Sequence, residues 1–127
     1  MRLAALLSGL CLLAGAHAIA QMPVPEAPAP DPARLFRTQC ATCHTLKASE
    51  PQRQGPTLEH VYGRKIGSVA DYKYTPGYRE SDQNWTAENL DRYLTNPQAM
   101  FPGSTMAYRQ SKPETRKLII DYLKEQG

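Results

Sequence analysis

Residues 40–44 read Cys40-Ala41-Thr42-Cys43-His44, and the rest of the chain is best read outward from them. Two thiols one helical turn apart, with a histidine directly after the second, have the spacing of covalent haem attachment. Each thiol can add to one of the two vinyl groups on a porphyrin edge, and the histidine then reaches the iron. The same residues also admit a dithiol–disulfide pair or half of a zinc site. A thioredoxin-type pair opens a helix that follows a strand, where the helix N-terminus lowers a thiol pKa; here the pair closes a helix and no strand precedes it. A structural zinc ion wants four ligands, and only Cys40, Cys43, His44 and the distant His60 are on offer.

On the N-terminal side, Asp31 followed by Pro32 is an N-cap with proline at the first helical position, and Leu35, Phe36, Cys40 and Cys43 recur at helical spacing. A short helix is therefore predicted to end at the cysteine pair. Residues 21–30, with Pro23, Pro25, Pro28 and Pro30, form an extended proline-rich linker. Residues 1–20 combine Arg2, an uncharged run from Leu3 to Ala20 and small residues at Ala16, Ala18 and Ala20, the pattern of a secretory signal peptide. An uncleaved membrane anchor is the rival reading, since the run is about the minimum length of a span. The residues before Cys11 make a poor lipidation site. Export would place Cys40 and Cys43 in an oxidising compartment without any other cysteine to pair with.

On the C-terminal side, residues 47–57 are polar and carry Pro51, Gly55 and Pro56, a loop signature; Leu58, Val61 and Tyr62 predict one or two helical turns before Gly63. Gly67 and Pro76-Gly77 mark a second long loop reaching Asn84. Thr86 caps a helix with Glu88 in its first turn, Leu90, Tyr93 and Leu94 on one face, and a stop at Asn96-Pro97. Ser111-Lys112-Pro113-Glu114 reads as a capping box, and the helix it starts sets Leu118, Ile119, Tyr122 and Leu123 on one stripe. No stretch alternates as a strand. The prediction is an all-α domain over residues 31–127, three to five short helices wrapped around one covalently bound haem c, with the cofactor filling an interior that the long loops leave short of core.

With 127 residues there is room for one domain of ordinary size, and 41% hydrophobic with 21% charged residues excludes wholesale disorder or a polytopic membrane protein. The 15 Lys and Arg are scattered singly or in pairs, without the patch or stripe of a nucleic-acid binder.

The group opposite His44 decides what a haem here does. A methionine raises the reduction potential and closes the iron, suiting it to electron transfer; an open position admits gases or peroxide. Met106 lies in Phe101-Pro102-Gly103-Ser104-Thr105-Met106, whose proline and glycine let backbone run close past a flat ligand. It is favoured over Met100, which follows the helix stop and reads as a packing residue, and over His60, which reads as a surface histidine.

Taken together, CATCHT, GPTLEHVYGRKIG, YKYT, NWTAENLDRYLTNP, FPGSTMAY and the LIIDYLK helix, in that order, make the chain resemble the monohaem class I cytochromes c, in particular the mitochondrial and related bacterial type. The resemblance runs without a gap from Cys40 through Met106. It implies that one haem c is attached through Cys40 and Cys43 and that the Pro56 carbonyl accepts a hydrogen bond from the His44 ring. It further implies that Arg64, Tyr74 and Trp85 hold the propionates, that Ser104 stands where a threonine touches one of them, and that Tyr93 lies near the Met106 sulfur. Phe36 and Tyr122 match aromatics where the first and last helices cross.

Three departures stand out. Pro32 replaces a glycine, so the first helix is expected to begin a turn later than in the family and to meet the last helix more weakly. Tyr78 replaces a small polar residue near the haem, which puts the family's internal water network in doubt. The lysine ring around the haem edge is thinned, with Gln39, Gln98, Ala99 and Thr105 at those places and Arg34, Arg53 and Lys112 still basic, so steering toward an acidic partner is expected to be weak.

The expectation for function is a periplasmic one-electron carrier, not an enzyme, monomeric and without nucleic acid. Its partners would be a membrane cytochrome complex, an oxidase or a periplasmic dehydrogenase, and it would touch the membrane only if the leader stays uncleaved. The alternatives are a haem enzyme or gas-binding module with a labile methionine, and an electron-relay subunit of a dehydrogenase or oxidase complex.

Overall fold

A computed structural model describes residue 25 and residues 27–127; the expected leader, with Cys11, and half of the proline-rich linker lie outside these residues. Five helices follow in order, α1 (Pro32–Gln39), α2 (Pro76–Arg79), α3 (Ala87–Thr95), α4 (Pro97–Met100) and α5 (Pro113–Glu125). The all-α expectation holds, and five lies within the predicted number. Among the described residues the only β-type pairing is an isolated antiparallel bridge between Lys65 and Asn84.

α1 starts where its cap dictates. The Asp31 carboxylate accepts from the Ala33 N–H at 3.0 Å, Pro32 occupies the first turn, and Cys40 closes the helix by donating its N–H to the Phe36 carbonyl. α3 likewise begins with Thr86 accepting from the Asn89 N–H. Asn96 ends α3 and at once caps α4 by accepting from the Ala99 N–H, so the predicted stop is also a restart. Pro97 forbids continuation of α3, yet its fixed φ suits a new first turn.

Three expectations about local structure change, and one about packing. Residues 58–62 form turns instead of helix: Val61 N–H bonds to the Leu58 carbonyl, Arg64 N–H to the Val61 carbonyl, and His60 between them has φ +49°, which breaks the helical path. The loop expected to run from Gly67 to Asn84 contains α2, begun by Pro76 after Thr75. The capping box is not made. Pro113, lacking an N–H, takes the first helical position, so Lys112 becomes the N-cap and Ser111 falls one residue too early. The Gln110 side chain accepts from the Lys112 N–H instead.

α5 packs against both α1 and α3, and α4 rests on α3. The α5 stripe is turned from the one expected: Arg116, Ile119, Ile120 and Leu123 are buried, while Leu118 and Tyr122 are half-buried. Arg116 is the reason. Its Nε bonds to Asp91 Oδ1 at 2.7 Å, and its Nη1 donates to the carbonyls of Gln110 and Ser111 at 3.0 Å each. A polar residue so satisfied can lead a buried stripe. Phe36 still meets Tyr122 across the α1–α5 crossing, ring centroids 5.8 Å apart.

The long loops are pinned by backbone. Gly55 N–H bonds to the Cys43 carbonyl at 2.7 Å and Leu58 N–H to the Thr45 carbonyl at 2.8 Å, folding residues 47–57 back under the cysteine pair. Trp85 N–H to Arg64 carbonyl and Ile66 N–H to Gln83 carbonyl close the second loop. Gly67, at φ +75°, lies so close to the Tyr78 carbonyl that a Cβ there would come to 2.3 Å from its oxygen.

Candidate functional site

The helices and pinned loops leave a cavity of about 320 Å³, within the range of ligand sites. Of the predicted site residues, Cys40, Cys43, His44, Pro56, Arg64, Tyr74, Trp85, Tyr93 and Met106 all line it. Ser104 does not. It is buried beside the cavity, its hydroxyl hydrogen-bonded to the Tyr78 hydroxyl and accepting from the Met106 N–H.

The cysteines stand where α1 ends. Cys43 N–H and His44 N–H both bond to the Cys40 carbonyl, winding the pentapeptide into a tight turn that puts both thiols and the imidazole on the cavity wall. Burial pushes the Cys40 thiol up to about 11. That environment favours a neutral sulfur, as in a thioether, over the thiolate that zinc or disulfide exchange requires. Among the described residues no group of three or more His, Cys, Asp or Glu is placed to share a metal ion, and His60 is exposed and absent from the cavity wall.

His44 Nδ1 lies 2.7 Å from the Pro56 carbonyl oxygen. A carbonyl only accepts, so Nδ1 carries the proton and Nε2 keeps its lone pair. Burial lowers the imidazole pKa, opposed by that hydrogen bond, and the net effect favours the neutral ring a metal needs. Gly55 makes room for it: a Cβ at position 55 would come 2.4 Å from His44 Cε1.

Met106 and Met100 separate cleanly. Met106 lines the cavity; Met100 lies on a different crevice, with Asp91, Arg92, Thr95, Asn96 and Ala99. The segment after Met106 is tied back to α1 by Tyr108, whose hydroxyl donates to Gln39 Oε1, and by Gln110, whose amide also reaches Gln39. Gln39, one of the thinned-lysine positions, is thus half-buried and engaged internally.

Arg64 donates from Nη2 to the Thr57 carbonyl at 2.8 Å and from Nη1 to the Glu59 carbonyl. Its guanidinium is thereby fixed on the wall, its pKa lowered by burial and held up by nearby Tyr74 and Glu59. Tyr74, Tyr78, Tyr93, Trp85 and Phe101 form an aromatic cluster, with centroids 4.4 Å apart for Tyr78–Phe101 and 4.9 Å for Trp85–Tyr93. Tyr78, noted from sequence as a departure, fills the middle: its hydroxyl bonds to that of Tyr93 at 2.8 Å and to that of Ser104.

One polar residue went unread in the sequence. Thr75 lines the cavity, and its Oγ1 is buried without a hydrogen-bond partner. Such an orphan hydroxyl calls for a ligand acceptor, and its position directly after Tyr74 was the available signal. The residues present fit a haem c: two cysteine sulfurs and a neutral imidazole on the wall, a methionine lining the same space, aromatic walls, and Arg64 with Thr75 as donors for carboxylates.

The comparisons agree. The family model described as cytochrome c matches residues 31–127. The chain is 44% identical over 95 residues to a cytochrome c of Arabidopsis thaliana, covering 74% of this chain and 85% of that protein. It is 43% identical over 95 residues to a cytochrome c of Cochliobolus lunatus, covering 74% and 88%, and 38% identical over 104 residues to one of Chlamydomonas reinhardtii, covering 79% and 93%. With the family model spanning residues 31–127 and the cavity lined by residues that fit its cofactor, the chain belongs to the cytochrome c family, electron carriers that hold haem c covalently through two cysteines.

Proposed function

We propose that this cytochrome is an exported, periplasmic one-electron carrier, monomeric, in which His44 Nε2 and Met106 Sδ would hold the haem iron. The observation that carries the reading is the His44–Pro56 hydrogen bond, which leaves Nε2 as the free donor on a wall that Met106 shares. When bound, haem c supplies an iron that exchanges one electron between its ferrous and ferric forms.

The chain's part is to hold and shield. Pro56 keeps a proton on Nδ1 and so fixes the ring's tautomer and direction. The cluster of Tyr74, Tyr78, Tyr93, Trp85 and Phe101 excludes water and keeps the site rigid, which lowers the reorganisation accompanying each electron. Arg64, Tyr74, Trp85 and Thr75 secure the propionates. His44 and Met106, both on the cavity wall, would hold the haem iron between them and leave it closed to a substrate.

Residues 1–20 act as the export signal and residues 21–30 as a linker to the 31–127 domain. The partners are redox proteins: a membrane cytochrome complex as one, an oxidase or periplasmic dehydrogenase as the other. No helix among the described residues is long and apolar enough to cross a membrane.

The test is the visible spectrum of the purified protein, oxidised and reduced, with and without carbon monoxide. A low-spin spectrum indifferent to the gas is expected. Rapid gas binding would overturn the reading in favour of a gas-binding or peroxide-reacting haem protein.

A further inference from the structure

We propose that Tyr78 is a positioning residue that keeps Met106 directed into the cavity, an inference resting on the reading of Met106 as an axial donor. Tyr78 is itself firmly seated. It lies in α2 behind Pro76, is 7% exposed, stacks on Phe101, and has its carbonyl against Gly67, where no Cβ intervenes.

From this seat its hydroxyl spans two elements. It bonds to the Tyr93 hydroxyl on α3 at 2.8 Å and to Ser104 Oγ in the segment leading to Met106. Ser104 Oγ in turn accepts the Met106 N–H at 3.3 Å. A line of side-chain hydrogen bonds therefore runs from α3 through Tyr78 and Ser104 to the backbone of Met106. Ser104 N–H also closes a turn on the Phe101 carbonyl, and Gln98 Nε2 holds the Ser104 carbonyl. Tyr78 thus joins the face of Phe101 to the loop Phe101 begins. Tyr78 and Ser104, at the centre of the line, are buried, so water does not readily replace the bond between them when Met106 swings out.

Tyr78 is the departure that puts the family's internal water network in doubt, and a water-linked network yields more easily than a phenol locked by packing. The consequence is a slow departure of Met106 from its place.

The experiment uses the full haem-loaded chain, ferric, with added imidazole as the competing donor. The rate of methionine displacement is followed spectroscopically, and the reduction potential is measured alongside. Tyr78→Phe keeps the ring and its stacking but removes the line; displacement is expected to accelerate about ten-fold, the factor corresponding to one or two buried hydrogen bonds. Ser104→Ala is expected to do the same, Ser104→Thr to retain the wild-type rate, and the double variant Tyr78→Phe/Ser104→Ala to be no faster than the faster single variant.

A Tyr78→Phe protein with a wild-type spectrum and wild-type displacement rate, or a double variant whose effect is the product of the two singles, overturns the positioning role and leaves the ligand reading intact. A Met106→Ala protein that keeps the wild-type spectrum overturns the ligand reading and this proposal with it.

Discussion

The His44 imidazole is packed so closely over Gly55 that any side chain at position 55 would occupy the ring's own place, with an added Cβ 2.4 Å from Cε1 and 2.6 Å from Nδ1. Gly55→Ala is therefore expected to push the ring off the Pro56 carbonyl and to cost about 1–3 kcal/mol of stability. Thermal unfolding of the haem-loaded protein checks the cost. A spectrum shifted from low-spin toward mixed spin would mark the displaced ring, and an unaltered spectrum and midpoint would show that Gly55 is not what seats it.

The two methionines make opposite predictions. Met106→Ala should open a coordination position, confer carbon monoxide binding and lower the reduction potential. Met100→Ala removes a half-buried packing residue from another crevice and should lower stability by about 1–2 kcal/mol while leaving the spectrum alone. Reversal of these spectra in the two variants would reassign the ligand.

Arg116 is 7% exposed and joins α5 to Asp91 on α3 and to the carbonyls of Gln110 and Ser111. Arg116→Ala strands two carbonyls and a carboxylate, for an expected loss of about 3 kcal/mol by denaturant unfolding. Arg116→Lys should recover only part of it, because a point charge cannot reach all three partners at once. Asp91 is half-exposed, so Asp91→Asn should cost clearly less.

Burial, and next the hydrogen bond with Tyr78, hold the Tyr93 phenol well above its ordinary value of 10. The folded protein then keeps a proton that the unfolded chain gives up, so the contribution is fully present below pH ~10 and is lost as pH rises beyond it. Tyr72, Tyr74 and Tyr108 are raised as well and add to the trend. Stability measured from pH ~8 to ~11 should fall steeply at the alkaline end, and less steeply in Tyr93→Phe.

Gln98, Ala99 and Thr105 are exposed and uncharged where lysines would otherwise ring the haem edge. Association with a redox partner should respond weakly to salt, by less than about three-fold over a range that shortens the Debye length from ~30 to ~10 Å. Stopped-flow electron transfer at varied ionic strength measures it, and a steep decline would reveal charged steering from elsewhere on the surface.

Local chemistry in the chain was enough to read the pentapeptide, the Asp31 and Thr86 caps, the Asn96-Pro97 break and the all-α class, because each depends on neighbours a few residues away. His44 as the candidate donor was legible for the same reason. The preference for Met106 over Met100 came from the proline and glycine before it; Met106 lines the cavity and Met100 a different crevice. What escaped was set across distance. The buried α5 stripe includes Arg116 only because Asp91, 25 residues earlier, supplies its partner. The failed capping box turned on which of two adjacent N-caps left Pro113 at the first helical position. Ser104 was read as a residue facing the cofactor, whereas packing sets it behind the wall, bonded to Tyr78. Thr75 had only its place directly after Tyr74 to mark it until its hydroxyl was seen buried without a partner. Sequence by itself determined that this chain covalently binds a haem and folds as helices around it, since covalent geometry and capping are local. Tertiary structure alone decided how the methionine-bearing loop is held, because a buried phenol's hydrogen bonds depend on which distant hydroxyls the packing brings within reach.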